Sequence, residues 1–124
     1  MVRAIVFMEE QKIPCAAEMD QDDLSCLHVL GEIDCEPVAC GRLHFTADTA
    51  RLQRLAVRRD WRGQGLGTEL LRFMLTQCRN RNFHNFDLHA QLQAIKFYAR
   101  HGFQTVGEPF QEAGIPHVRM ILHD

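Results

Sequence analysis

The sequence predicts one α/β domain built on a mixed central sheet flanked by helices, and three features point to it. A chain of 124 residues suits a single domain with a substantial core. Between residues 28 and 57, apolar runs are separated only by short turns, which reads as antiparallel strands. Between residues 50 and 90 the order is strand, helix, strand, which implies a right-handed parallel crossover. No internal repeat, low-complexity tract or long linker interrupts this pattern, so residues 1–124 are read as one domain.

The elements follow in order. Val2, Ile5 and Val6 recur at helical spacing in VRAIVFMEEQK, and Pro14 ends the run, so a helix is expected there with no strand before it. The first edge strand of the sheet is therefore expected to be missing. HVLGEID and VACGRLHF, joined by CEP, read as a hairpin, and the turn TADT leads back into ARLQRLAV. In that last run Leu52, Leu55 and Val57 cannot all share one face of a regular pleat, because the alternation slips by one residue. Either a β-bulge or a strand buried on both faces, with Arg54 reaching past its edge, accounts for the slip; on this segment alone the second is preferred.

In LGTELLRFMLTQCRNR, Leu66, Leu70 and Met74 form one stripe that Leu71, Leu75 and Cys78 widen, as in a helix with one buried face. FHNFDLHA alternates Phe86, Leu88 and Ala90 against Asp87 and His89, a strand with one face in polar surroundings. LQAIKFYARHGF reads as a shorter helix stopped by Gly102, with Phe103 closing the end by an apolar contact. FQTVG, a polar loop EPFQEAGIP and a final strand HVRMILH, alternating Val118, Met120 and Leu122, complete the chain.

A net charge of -2 and a pI near 6.4 argue against a surface built to hold nucleic acid and favour a small-molecule partner. No leader pattern and no apolar stretch long enough to cross a bilayer is present, so a soluble cytoplasmic protein without a membrane partner is expected. Five cysteines without a CxxC pair suggest reduced, mostly buried thiols. Cys26, His28, Cys35 and Cys40 fit no common zinc spacing. The acidic run Asp20–Asp23 meets Leu24 and Ser25 where a calcium loop needs oxygen ligands and a glycine, so it reads as a solvated loop and no metal is expected.

The run RGQGLG, Arg62 to Gly67, enters the long helix directly. Amides at a helix start lack internal acceptors and carry partial positive charge, so this end attracts phosphate. Gly63, Gly65 and Gly67 clear the approach and Arg62 adds a cation. The spacing is neither GxGxxG after an early strand nor GK[ST].

The string LAVRRDWRGQGLGTELL resembles motif A of the GNAT N-acetyltransferase superfamily: Arg or Gln, two residues, Gly, one residue, then Gly or Ala. Arg62, Gly65 and Gly67 match it in order, and QAIKFYARHGF resembles the motif in which a tyrosine on a short helix precedes a glycine and an aromatic residue. VFMEEQKIPCAAEMDQDD, LHAQLQAIKFYARHGF and EAGIPHVRM extend the likeness to the ElaA-like branch, over almost the whole chain. The missing first strand is a departure from those relatives.

The resemblance implies acetyl transfer from acetyl-CoA to a primary amine by direct attack in a ternary complex, the cofactor lying where the bulged strand and the next parallel strand splay. By position, Leu55, Ala56 and Val57 would pair with the pantetheine arm. Arg62, Gly63, Gln64, Gly65, Leu66, Gly67 and Thr68 would hold the pyrophosphate, and Gln91 and Gln93 sit where relatives place polar contacts to the arm, though surface amides at a helix start account for them equally well. Tyr98, the chain's one tyrosine, matches the general acid for the leaving thiolate. His44, His89, Glu112 and His117 are base candidates by position only, none preferred, since a strand histidine is more often a hydrogen-bonded structural residue. Arg58 and Arg59 fit the cofactor's 3′-phosphate or a solvated loop equally well, and Trp61 reads as a loop anchor. A homodimer is compatible with the family. A non-catalytic acyl-CoA-binding or protein-interaction domain of the same fold is the competing reading.

Overall fold

The computed structural model describes residues 6–9, 13–14 and 25–124, with side chains from Cys26 onward. Cys15, Glu18 and the acidic run Asp20–Asp23 lie outside the described residues. The order is β1 (Val6–Glu9), β2 (Ile13–Pro14), β3 (Ser25–Ile33), β4 (Glu36–Phe45), β5 (Thr49–Val57), α1 (Leu66–Asn80), β6 (Asn85–Gln91), α2 (Ile95–Ala99), β7 (Gln104–Glu112) and β8 (Ile115–His123). One sheet runs β1-β3-β4-β5-β6-β8-β7, with β2 paired to β3. Among the described strands β5 and β6 form the one parallel pair, as the strand-helix-strand order requires.

The start of the chain corrects the sequence reading. Val6–Glu9 is a strand, antiparallel to β3 from Val6↔Glu32 to Glu9↔Val29, so the edge expected to be missing is occupied. Ile5, Val6 and Phe7 are β-branched or aromatic, and the open edge of β3 offers a ladder that outweighs a weak helical periodicity. The rest of the expected helix lies outside the described residues.

The core forms where α1 packs on β4 and β5. Leu66, Leu70, Leu71, Met74, Leu75 and Cys78, the six residues of the helical stripe, are all buried, as are Leu43, Leu52, Phe86, Leu88 and Met120 on the sheet. Burial pushes the Cys78 thiol up to about 12, so it packs as an inert apolar group. Cys35 and Cys40 are exposed, and Cys26 is disulfide-bonded, so the thiols are neither all reduced nor mostly buried. Arg79, in the last turn of α1, binds Asp124 through Nε (2.7 Å) and Nη2 (2.9 Å) and fastens the last strand to the helix. Trp61 packs against the core, as a loop anchor should.

Two other elements differ from the expectation. The second helix is short: a 3₁₀ turn at Leu92–Ala94 leads into α2, which ends where Gly102 takes φ 94° and the Phe103 N–H bonds the Tyr98 carbonyl at 3.2 Å. Phe103 is buried, as its position past that glycine implies. EPFQEAGIP is mostly strand rather than loop, turning only at Ala113 and Gly114, both at positive φ. Its polarity suits β7, an exposed edge strand. The ladder skips between Val106 and Phe110, which leaves Pro109, with no N–H to give, out of the pairing.

Gly41 on β4 shows how tightly α1 is seated. A Cβ there would stand 2.6 Å from Met74 Sδ and 2.7 Å from its Cε, and Met74 is fully buried. Replacing Gly41 with Ala should cost about 1–3 kcal/mol through overpacking. Denaturant unfolding will read this; a stability equal to that of the unsubstituted chain would mean that Met74 repacks freely.

Candidate active site

The site begins with a fork in the sheet. β5 and β6 pair only at Thr49↔Asn85, Ala50↔Phe86 and Arg51↔Asp87, yet β5 continues to Val57 and β6 to Gln91. β6 stays paired with β8 along its whole length, from Asn85↔His123 to Gln91↔His117, so β5 is the strand that leaves. Its departure has a local cause. Against β4, Cys40↔Ala56 is followed by Arg42↔Gln53, so Arg54 and Leu55 stand opposite the single residue Gly41. Arg54 takes φ 56°. This is a β-bulge, which bends the strand and frees backbone groups. The slip among Leu52, Leu55 and Val57 is thereby resolved in favour of the bulge: Leu52 is buried, and Leu55 and Val57 pack against the same core.

The fork closes on an ion pair. Arg51 donates to Asp87 through Nε (3.0 Å to Oδ1) and Nη2 (2.8 Å to Oδ2), and Arg119 Nε adds a contact of 3.3 Å to Oδ2. Asp87 is buried, so its strand face is not simply exposed to polar surroundings. Burial pushes its carboxyl up, but the hydrogen bonds and charges of Arg51 and then Arg119 outweigh this and hold it below the ordinary carboxylate value.

A cavity of about 490 Å³ opens above that pair. Leu55 and Arg54 line it from the bulge, His89 and Gln91 from β6, Tyr98 from α2, and Glu112 and His117 from the β7–β8 end. Tyr98 is half-buried between Phe97 and Phe103, with ring centroids 5.1 and 5.9 Å away. Burial raises its phenol above the ordinary value, so the hydroxyl keeps its proton at neutral pH. Gln93 stands outside the lining, exposed on the 3₁₀ turn, with its amide bonded to the Gln91 side chain.

Ala56 and Val57 carry the freed edge of β5 onward to the glycine run. Arg62 Nε donates to the Val57 carbonyl at 3.0 Å, tying the end of the strand to the start of α1. Gly65 caps the helix in the left-handed region, and no side chain caps it by a hydrogen bond. Gly63 (φ 81°) and Gly65 (φ 78°) would meet nothing within 4 Å if given a Cβ, so backbone conformation and an open approach, not packing, call for glycine. Gly67 differs: its Cβ would touch Phe97 at an ordinary 3.5 Å, in keeping with the Gly or Ala that the motif accepts. Thr68 Oγ1 lies 3.4 Å from His101 Nε2. Arg58 is held by Glu36 at 2.9 Å and by the Pro37 carbonyl, which favours a structural role for it, whereas Arg59 is exposed.

The model of the acetyltransferase (GNAT) domain matches residues 7–123. The chain belongs to the GNAT acetyltransferases. It is similar to an uncharacterized N-acetyltransferase of Bacillus subtilis, YjcF, with 31% identity over 121 residues, covering 97% of this chain and 86% of the relative. Among solved structures it resembles Escherichia coli ElaA, with a TM-score of 0.73 and 29% identity over 86% of this chain and 75% of that one. A GNAT acetyltransferase from Elizabethkingia anophelis, solved with acetyl-CoA bound, shares the fold at a TM-score of 0.75 and 17% identity, covering 96% and 97% of the two chains. GNAT acetyltransferases use an acyl-CoA and an acceptor.

Sequence reasoning missed the Arg51–Asp87–Arg119 clamp and the opposition of Gly41 to the bulge. The signals were an aspartate at a core-like strand position and a glycine inside a strand, both ambiguous without the register. Among the described residues no cluster able to hold a metal ion occurs, and no helix is long and apolar enough to cross a membrane.

Because the folded pKa of Asp87 is depressed, its ionisation stabilises the fold above the unfolded value of about 3.9, and that contribution is lost as pH falls through the folded value. Asp87→Asn should therefore lower stability at pH 7 and flatten the decline below about pH 4. Urea midpoints measured from pH 7 to pH 2 will check this; parallel curves for the two proteins would contradict it.

Proposed function

We propose that this chain is a cytoplasmic N-acetyltransferase, with residues 1–124 forming one catalytic domain. It moves the acetyl group from acetyl-CoA to a primary amine by direct attack in a ternary complex. The observation that carries this reading is the continuous path from the Tyr98-lined cavity, along the unpaired edge of β5, to the uncapped glycine start of α1. Each part of that path matches a part of the cofactor in chemistry.

Leu55, Ala56 and Val57 offer backbone groups to the two amides of the pantetheine arm, which pairs as an additional strand, and Gln93 contributes a polar side chain at its flank. The amides from Gly63 to Thr68 meet the pyrophosphate, where the helix dipole and the Arg62 guanidinium oppose its charge. A backbone N–H near Val57 faces the thioester oxygen, where one donor stabilises the developing charge by about 3 kcal/mol. The amine nitrogen attacks the carbonyl carbon, the carbon–sulfur bond breaks, and Tyr98 gives its proton to the departing thiolate. Its burial suits that task, because an acid that stays protonated at neutral pH is needed there.

Two pairs of measurements test this. In calorimetry, Gly65→Ala should weaken acetyl-CoA binding at least tenfold, because a left-handed residue with a Cβ costs about 1–2 kcal/mol and crowds the anion. Gly67→Ala should leave affinity within about twofold, since room for its methyl exists and alanine favours the helix. Equal affinities for all three proteins would remove the pyrophosphate assignment. In assays of thiol release over an amine panel, Tyr98→Phe should lower turnover about a hundredfold or more with acetyl-CoA affinity unchanged. Unaltered turnover would remove Tyr98 as the acid, and binding without release from any amine would leave an acyl-CoA-binding domain.

A further inference from the structure

Beyond Tyr98, the cavity holds a second set of proton-handling groups. His89, on β6 past the fork, directs Nδ1 at Glu112 Oε1 across 2.9 Å. Glu112 lies at the far end of β7, nearly half-exposed at 48%. Its other oxygen, Oε2, lies 3.6 Å from Nε2 of His117, and the His117 Nδ1–H in turn donates to the Ile115 carbonyl at 2.8 Å. Phe110 wedges between the two imidazoles, edge-on to His89 at 4.9 Å and stacked near His117 at 6.2 Å. All three polar residues line the cavity that Tyr98 borders.

The partners assign the tautomer. A carboxylate only accepts, so His89 Nδ1 carries the hydrogen, and in the neutral ring Nε2 is left with its lone pair. No bond to that Nε2 occurs among the described residues. A carboxylate on Nδ1 and a free Nε2 is the arrangement that holds an imidazole ready to accept a proton, with a counter-charge for the cation that forms. The Phe110 ring packs against both imidazoles and steadies His89, and His117 supports Glu112 when its Nε2 carries a proton to give. The other charged groups around His89 are Arg119, its register partner on β8, Asp87, two residues earlier on its own strand and paired with Arg51, and Arg42 and Arg54, which line the same cavity from β4 and β5.

We infer that His89 Nε2 is the general base that takes the proton from the acceptor ammonium, with Glu112 and His117 as positioning residues; this rests on the acetyltransferase reading above. A primary ammonium loses two protons on becoming an amide. The first passes to His89 Nε2 before the nitrogen lone pair forms the bond to the acetyl carbon, and it later leaves for solvent from that same nitrogen, so the Nδ1–H stays on Glu112 and the basic tautomer is restored. The second leaves the nitrogen as the carbon–sulfur bond breaks and replaces the one Tyr98 delivers to the thiolate. The net reaction converts an ammonium and acetyl-CoA into an amide, free coenzyme A thiol and one released proton.

The experiment compares the unsubstituted chain with His89→Gln and Glu112→Gln on a panel that pairs aliphatic amines, charged at pH 7, with arylamines and hydrazides, neutral there. Thiol release is followed from pH 6 to pH 10, and acetyl-CoA binding by calorimetry reports whether each variant is folded. The expected result for His89→Gln is a loss of about a hundredfold in kcat/KM for the aliphatic amines at pH 7. That loss should shrink as pH approaches the amine's own ionisation, with less than a fivefold effect on neutral acceptors and intact cofactor binding. Glu112→Gln should show the same selectivity in weaker form. A loss equal for charged and neutral acceptors, or one that pH does not relieve, overturns the assignment of His89 while leaving acetyl transfer standing. Absence of release by the unsubstituted chain from every amine overturns the acetyltransferase reading and this inference with it.

Discussion

The structure turns on one event in the sheet: β5 abandons β6 after the Arg51–Asp87 pair. Backbone groups released from a ladder cost free energy unless water or a ligand takes them up, so a fully paired sheet would be the more stable arrangement. The chain enforces the parting with two residues that face each other. Arg54 adopts a left-handed conformation that inserts an extra residue, and Gly41 opposite leaves the space into which Met74 seats α1. The buried clamp on Asp87 then holds the last pair together, so that the separation starts at a defined point and does not spread backward through the strands.

The same geometry places the helix start. Val57 ends the departing strand, its carbonyl receives Arg62, and the chain passes through two left-handed glycines into α1. Strand edge and helix terminus thus stand at the two ends of one short connection, in which the Arg58, Trp61 and Arg62 amides are bonded to neighbouring carbonyls. In the proposed reading the two kinds of donor serve one ligand, amide against amide along the arm and amide against phosphate at the helix. The proposed acid and base sit in different surroundings, Tyr98 beside the aromatic rings of Phe97 and Phe103 and His89 joined to a carboxylate open to solvent. One has to retain its proton and the other has to exchange it.

What could be read from the residues divides along physical lines. The long helix was legible because six apolar residues repeat at 3.6 spacing and all six are buried. The bulge was legible as a phase slip, though on that segment alone it could not be told from a strand buried on both faces. Gly102 and Phe103 announced a helix end because the left-handed cap and its apolar closure are local. The edges were not legible: β1 and β7 are defined by the partners they find, and β7 is polar because it is exposed. Asp87 looked solvated because its two arginines come from β5 and β8, distant in the chain. Tyr98 and the glycine run stood out through their motifs, whereas the pairing of His89 with Glu112 depends on a β7–β8 hairpin that the residues suggested only as a loop.

The most direct test of this account is amide hydrogen exchange, residue by residue, with and without acetyl-CoA. The predicted result is added protection confined to two stretches, Leu55 to Val57 on the open strand edge and Gly63 to Thr68 at the helix start. Protection appearing elsewhere while those amides exchange as before would contradict it, because the free donors of the fork would then have no part in holding the cofactor.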